Sequence, residues 1–173
     1  MSDFKISNAI TKKSEGFFCN VPGDSGKMTY VGISRKNFPN WKGWKIVDKH
    51  LPLKNNQRII DPILDELVDG FYIITFWNKI IGDHIDSQRI ANLCYDWYVN
   101  AGTPAIKHLC LLIGLDANHI NLDIVKKINA ADEDDLFNKY KQSRIQFYED
   151  LVKRKPALSK FLSGWLKRVD QFK

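Results

Sequence analysis

The chain has 173 residues, a length that suits one domain with a complete hydrophobic core. Hydrophobic residues make up 44% of it, which excludes an intrinsically disordered protein. A formal net charge of +6 is compatible with binding to an anionic polymer, such as nucleic acid or bacterial cell wall, and also with an ordinary solvated surface. No apolar run approaches the roughly 20 residues of a membrane span.

The N-terminal third predicts one helix followed by irregular structure. Apolar residues recur at helical spacing over residues 3–14, which predicts a first helix. Residues 16–34 are rich in glycine, β-branched and aromatic side chains, a composition typical of a loop with a small hairpin. Residues 35–55 predict short turns and helical fragments.

The rest of the chain predicts helices with apolar stripes. The first stripe comprises Ile59, Ile60, Ile63, Leu64, Leu67 and Phe71. Capping residues, prolines and glycines then delimit helices over residues 87–99, 104–113, 121–128 and 132–153 and after Pro156. In the last two, the predicted inward residues are Leu136, Tyr140, Phe147, Leu151, Leu158, Phe161, Leu162, Trp165 and Val169. These patterns predict a mainly α protein with a small β-hairpin or loop region near its N-terminus.

The cysteines and histidines give no metal-ligand spacing. Cys94 and Cys110 lie in apolar helical segments and are predicted to be buried thiols, while Cys19 falls in the glycine-rich loop. The four histidines are scattered. We therefore expect neither a metal nor another cofactor.

One short stretch has the composition of a sugar-cleaving site. Glu15 is followed by a second carboxylate at Asp24 and by a hydroxyl at Thr29. Glycoside hydrolysis needs an acid that protonates the leaving oxygen and a carboxylate on the other face of the sugar, and a threonine hydroxyl can help to hold the attacking water. On chemistry alone the trio is also compatible with solvated surface residues.

Two blocks around this trio resemble a known family. Glu15-Gly16-Phe17-Phe18 is similar to a Glu-Gly-Gly-Tyr block, and the segment from Asp24 to Ile33 is similar to Asp-Pro-Gly-Gly-x-Thr-x-x-Gly-Ile. Both of these motifs are those of glycoside hydrolase family 108, the N-acetylmuramidase-type phage endolysins. The resemblance continues, in the same order, through residues 95–102, 144–148 and 161–169.

The resemblance implies a lysozyme-like helical domain over residues 1–173, with a catalytic part at 1–85 and a helical, peptidoglycan-binding-like part at 86–173. It implies an enzyme that cleaves peptidoglycan between N-acetylmuramic acid and N-acetylglucosamine. We also expect the protein to be a monomer. Since the N-terminus has no secretory h-region, we expect synthesis in the cytoplasm without a signal peptide and action on the wall after release or non-standard export.

The resemblance also implies individual roles. Glu15 is the expected catalytic acid, and Asp24 and Thr29 are expected to position the water, as in the triad of phage lysozymes. Gly26 and Tyr30 are assigned to substrate binding. Phe17 and Lys27 replace two family glycines. The sequence does not decide whether these side chains narrow the substrate cleft or abolish activity.

Asp96 and Asn100 lie four residues apart on one helix face and are candidates for contacts with sugar hydroxyls or acetamides. The structural alternative is that Asp96 is a buried partner and Asn100 caps a helix end. Trp41, Trp44 and Trp77 are either sugar-stacking platforms or core residues.

Two other functions remain as alternatives. One is a catalytically impaired module that binds the cell wall or assists secretion on the same fold. The other is nucleic-acid binding, which only the charge supports, since no helix-turn-helix with a basic recognition helix is evident. Retention of Glu15, Asp24 and Thr29 together favours the hydrolase, with no nucleic acid and no integral membrane segment expected.

Overall fold

The structure is a computed structural model that describes residues 1–13, 15–20 and 28–173. Within these residues the chain forms eight α-helices and one three-stranded antiparallel sheet, so the predicted mainly α class is confirmed. No described helix combines the length and the apolar character that crossing a membrane requires.

The described residues form two compact units. Thr11–Ile74 contains the sheet and is called the sheet unit below. Met1–Ile10 and Thr75–Lys173 are called the helical unit. The finer division predicted at residue 85 stays a prediction.

In the sheet unit, the predicted hairpin region is a sheet of three very short strands, β1 (Phe18–Cys19), β2 (Thr29–Tyr30) and β3 (Ile33–Ser34). β1 pairs with β2, and β2 pairs with β3 through the register Tyr30 opposite Ile33. Two helices follow, α2 (Trp44–Lys49) and α3 (Pro62–Tyr72).

The inward face of α3 differs from the predicted stripe. Asp61 caps the helix by accepting hydrogen bonds from the backbone of Ile63 and Leu64, so residues 59 and 60 lie before it. Ile60 and Ile63 are 92% and 63% exposed. The buried residues of the helix are Leu64, Val68 and Tyr72. Their four-residue spacing is the true helical face.

The helix predicted first is α1, Phe4–Lys12. The helical unit then contains five later helices whose positions agree with the predictions within a few residues. They are α4 (Gln88–Ala101), α5 (Thr103–Leu112), α6 (Leu122–Ala130), α7 (Glu133–Arg154) and α8 (Ser159–Asp170). A π-helical turn over Ile73–Trp77 follows α3.

Side chains cap three of these helices. Ser87 accepts from the backbone of Ile90, Asn121 from Ile124 and Asp132 from Asp135. Between α4 and α5 the capping residue is Gly102, whose φ of +70° favours glycine. Thr103 is therefore the first residue of α5 and not its cap.

The last two helices bury fewer apolar residues than predicted. In α7, Leu136 and Tyr140 are buried as expected, but Arg144 and Tyr148 are buried as well. In α8 only Val169 is buried, and Phe161 is 46% exposed. The predicted inward stripe of α8 is therefore a half-exposed surface.

Candidate functional site

Glu15 lies just beyond the C-terminal end of α1, as the helical pattern predicted. Its backbone N–H donates to the carbonyl of Lys12 at 3.1 Å. The ammonium of Lys12 pairs with Asp69 of α3 at 2.6 Å, which anchors the end of the helix. The side chain of Glu15 is half-buried.

A strained two-residue turn lies beside the Glu15 carboxyl. Val31 and Gly32 join β2 to β3 with φ values of +46° and +73°, the left-handed conformation typical of tight hairpin turns. This conformation is unfavourable for a β-branched residue. Two hydrogen bonds hold Val31 there: its N–H donates to the carbonyl of Phe17 at 3.0 Å, and its carbonyl accepts from the hydroxyl of Tyr72 at 2.9 Å.

Gly32 brings the turn very close to Glu15. A Cβ added at Gly32 would stand 2.9 Å from Oε2 of Glu15 and 2.8 Å from the hydroxyl oxygen of Tyr72. Real Cβ atoms essentially never approach other atoms this closely. Because Gly32 has no side chain, the Glu15 carboxyl can lie directly against this turn.

Glu15 lines an open cavity of about 410 Å³ in the sheet unit. Thr29 lines the same cavity, so the structure brings together two residues of the predicted trio. Cys19, Asn55 and Asn56 are also in its wall. The cavity is large enough for a small polar ligand and offers a carboxyl, a hydroxyl, a thiol and two amides.

Asn56 and Tyr72 were missed by the sequence analysis. The side-chain oxygen of Asn56 accepts from the N–H of Phe17 at 3.0 Å, and its own N–H donates to the carbonyl of Phe18 at 2.6 Å. Asn56 therefore supports the strand that follows Glu15. Its φ of +61° is tolerated best by glycine and asparagine, and the Asn55-Asn56 pair is a turn signal that could have pointed to it.

Asp24 and Gly26, together with Lys27, lie outside the described residues. The roles assigned to Asp24 and Gly26 therefore stay predictions.

Tyr30 does not present a surface to the cavity. It is 1% exposed, and its hydroxyl donates to the carbonyl of Ile59 and accepts from the N–H of the same residue at 3.2 Å. Burial raises the pKa of this hydroxyl, and the hydrogen bond to Ile59 opposes the shift. Tyr30 therefore holds the segment before α3, in contrast to its assignment as a substrate-binding residue.

Asp96 lies in the helical unit and is completely buried. Its carboxylate pairs with Nη2 of Arg144 at 2.7 Å and with Nη2 of Arg168 at 2.9 Å. The two arginines come from α7 and α8, so one carboxylate joins three helices. With no exposed surface, Asp96 cannot contact a sugar. Its environment agrees with the alternative that it is a buried partner of other side chains.

Asn100 is exposed, unlike Asp96. Its side-chain oxygen accepts from the hydroxyl of Tyr148 at 2.5 Å. The ring of Tyr148 in turn stacks on Trp165 at a centroid distance of 5.0 Å. The hydrogen bond from Tyr148 thus orients the Asn100 amide, which remains a candidate for ligand contact.

The tryptophans considered as sugar platforms are largely core residues. Trp44 and Trp77 are buried, and Trp41 is half-buried. Their indole N–H groups donate to the carbonyl of Phe38, the carboxylate of Asp83 and the carbonyl of Leu67, respectively. The described residues contain no group of three or more histidine, cysteine or acidic side chains that could hold a metal ion.

Two family models match the chain. The model described as Glycosyl hydrolase 108 matches residues 8–102, which is more than half of the sequence. The model described as "Predicted Peptidoglycan domain" matches residues 121–170. The first match includes Glu15 and Thr29, and the second includes α6, α7 and α8.

Among solved structures, one described as Brucella abortus SagA is similar to this chain. The TM-score is 0.68 at 19% sequence identity, over 98% of this chain and 90% of that one. At this identity the likeness concerns the fold, and it supports the predicted lysozyme-like helical architecture. No curated protein matches the chain significantly.

Proposed function

Because the chain belongs to the glycosyl hydrolase 108 family, we propose that it cleaves peptidoglycan between N-acetylmuramic acid and N-acetylglucosamine. The two family matches together support a peptidoglycan hydrolase. The bond specificity rests on the resemblance of the blocks around Glu15 and Thr29 to the muramidase-type enzymes of that family.

Glu15 is the general acid of this reaction. The observation that carries the assignment is its half-buried carboxyl in the wall of an open cavity, held against a turn that has no side chain at Gly32. A carboxyl in this position is accessible to a glycosidic oxygen and partly shielded from water. These are the requirements for protonating the leaving group.

Thr29 and Asp24 hold the attacking water on the opposite face of the sugar. Thr29 shares the cavity with Glu15, which supports this role. The mechanism inverts the anomeric centre, and inverting carboxyl pairs stand about 6.5–9.5 Å apart so that a water fits between them. Gly26 contributes contacts to the substrate.

The wall is an anionic polymer, and the net charge of +6 favours its binding. Lys155, Lys160 and Lys167 are exposed and available to a wall, whereas Lys153 is paired with Asp150 and Arg168 with Asp96. The enzyme acts as a monomer, after release from the cytoplasm or non-standard export.

Glu15→Gln tests the assignment, and Glu66→Gln is its control because Glu66 is an exposed glutamate of α3 away from the cavity. We expect Glu15→Gln to abolish most lysis of purified sacculi with unchanged unfolding, and Glu66→Gln to lyse them as the wild type does. Mass spectrometry should detect new reducing-end muramic acid only with the active proteins. Equal lysis by the two variants would refute the role of Glu15.

The anomer formed first distinguishes inversion from retention at the anomeric carbon. NMR of early products should show the inverted configuration, and detection of the retained anomer would exclude the water-holding role of Asp24. If the wild type binds sacculi from several bacteria and releases no reducing ends from any of them, the non-catalytic wall-binding module is the correct function.

A further inference from the structure

The turn beside the Glu15 carboxyl is held in an unfavourable backbone conformation. Val31 is a β-branched residue with a φ of +46°, a region that such residues rarely adopt. Strain of this kind persists only where the surrounding structure holds it, and it is common at active sites. Gly32 follows in the same turn, and a Cβ added there would stand 2.9 Å from Oε2 of Glu15. The position of the turn therefore limits the position of the carboxyl.

Tyr72, the last residue of α3, supplies a side-chain contact that holds this turn. It is 2% exposed, and its hydroxyl donates its single proton to the carbonyl of Val31 at 2.9 Å. The hydroxyl oxygen also lies 2.8 Å from the place that a Cβ of Gly32 would occupy. Tyr72 and Glu15 therefore both approach Gly32 at the point where any other residue carries a side chain.

The same helix also fixes the chain segment that carries the acid. Asp69 lies three residues before Tyr72, so the two side chains lie on one face of α3. The carboxylate of Asp69 pairs with the ammonium of Lys12 at 2.6 Å, and the carbonyl of Lys12 accepts from the N–H of Glu15 at 3.1 Å. One face of α3 thus contacts both the end of α1, which precedes Glu15, and the turn against which its carboxyl lies.

We propose that Tyr72 is a positioning residue for the general acid. By holding Val31 in the left-handed conformation, its hydroxyl keeps Gly32 in place and so fixes the Glu15 carboxyl where it can protonate the glycosidic oxygen. The role of Glu15 itself rests on the proposed function. Since Tyr72 is buried, it does not touch the substrate. Its loss should therefore slow the chemical step and leave substrate binding unchanged.

The test compares Tyr72→Phe, which removes the hydroxyl and keeps the ring, with Tyr140→Phe. Tyr140 is a buried tyrosine of the helical unit, and its hydroxyl donates to the carbonyl of Ala105 at 2.8 Å. Each variant therefore loses one buried hydrogen bond to a backbone carbonyl. The release of reducing ends over a range of sacculus concentrations gives an apparent kcat and KM, and urea denaturation gives the stability.

We expect Tyr72→Phe to lower kcat about 10- to 100-fold at an unchanged KM, because a small displacement of a catalytic group has an effect of this size. Tyr140→Phe should keep both constants, although both variants lose some stability. An equal kcat in the two variants would overturn the proposal, and so would a change confined to KM.

Val31→Gly separates positioning from a loss of stability. Glycine adopts the left-handed conformation without strain, so the turn can keep its shape when the hydroxyl is absent. Tyr72→Phe combined with Val31→Gly should therefore regain most of the lost kcat, even though removal of a buried valine side chain lowers stability further. If Tyr72 only stabilised the fold, the double variant would be less active than Tyr72→Phe, and that result would contradict the proposal.

Carbon NMR gives a measurement that needs no cleavage. The resonance of the Glu15 side-chain carboxyl, assigned by its absence in Glu15→Gln, should shift in Tyr72→Phe and return toward its original position in the double variant. It should stay unchanged in Tyr140→Phe. A wild type that releases no reducing ends from any sacculi refutes the proposed function, whereas an unchanged resonance in Tyr72→Phe refutes the positioning role.

Discussion

The sheet unit and the helical unit place acidic side chains in opposite environments. In the sheet unit, Glu15 is a half-buried acid beside a short, glycine-containing turn, and it lines a cavity. In the helical unit, Asp96 is an acid with no exposed surface, and two arginines from different helices neutralise it. Both residues lie in blocks that resemble the same family.

The difference shows that residues shared with a family include both a group that lines a cavity and a group that holds helices together. The three later blocks converge on one buried network in which Arg144, Arg168 and Asp96 join helices. The network orients Tyr148, since the guanidinium of Arg144 lies 3.3 Å from its hydroxyl. Removal of a reactive acid should therefore leave stability intact, whereas removal of the structural acid should not.

The largest effect is expected from Asp96→Asn. The substitution leaves two guanidinium groups without their buried counter-charge, and breaking such a pair destabilises by about 3–5 kcal/mol. Urea denaturation should show this loss. Asp123→Asn removes the exposed partner of Lys126 and should cost below about 1 kcal/mol. Similar losses for the two variants would mean that the Asp96 network is not a structural centre.

Gly32→Ala should lower activity strongly by displacing the Glu15 carboxyl from its position. Misplacement of a catalytic group by about 1 Å can lower the rate by about 100-fold, and the left-handed backbone adds about 1–2 kcal/mol of destabilisation. Turbidity assays and urea denaturation measure the two effects. Gly70→Ala in α3 is the control, because its Cβ would meet nothing within 4 Å. A Gly32→Ala protein that lyses normally would contradict the close approach to Glu15.

Cysteine labelling should distinguish the units by accessibility. Cys19 lines the Glu15 cavity, whereas burial raises the pKa of Cys94 to about 12 and also raises that of Cys110. Mass spectrometry of the native protein treated with a bulky maleimide should show Cys19 modified first, with loss of lysis. Cys19→Ser should keep its lytic activity under the same treatment. Full activity of the labelled wild type would place the reaction away from this cavity.

The smallest expected effect is a change in how the stability of the fold depends on pH. The pKa of His108 is lowered in the folded state from its ordinary value of 6.5, mainly by burial. The unfolded chain then binds the proton more readily, so the contribution of His108 to stability is complete above about pH 6.5 and decreases as the pH falls below it. His108→Gln should unfold at temperatures that differ less between pH 7.5 and pH 5.5 than those of the wild type. An equal difference in the two proteins would show that His108 does not titrate in this way.

The sequence by itself determined the local features of this protein. Apolar periodicity, the capping residue Asn121 and the acidic residues that begin at Asp132 located the later helices, because these signals act within one or two turns of chain. The position of Glu15 just after α1 and the turn near Thr29 were predicted for the same reason. The match to the glycosyl hydrolase 108 family also depends on sequence alone.

Only the tertiary structure decided which polar residues face a cavity and which lie in the core. Burial and ion pairing depend on residues far apart in the chain: Asp96 is neutralised from 48 and 72 positions away, and Val31 is held by Tyr72 across 41 positions. No local pattern distinguishes an acid that meets solvent from one that meets two arginines. Likewise, Gly32 must be glycine because packing brings the Glu15 carboxyl against it, a condition that the spacing of the two residues does not reveal.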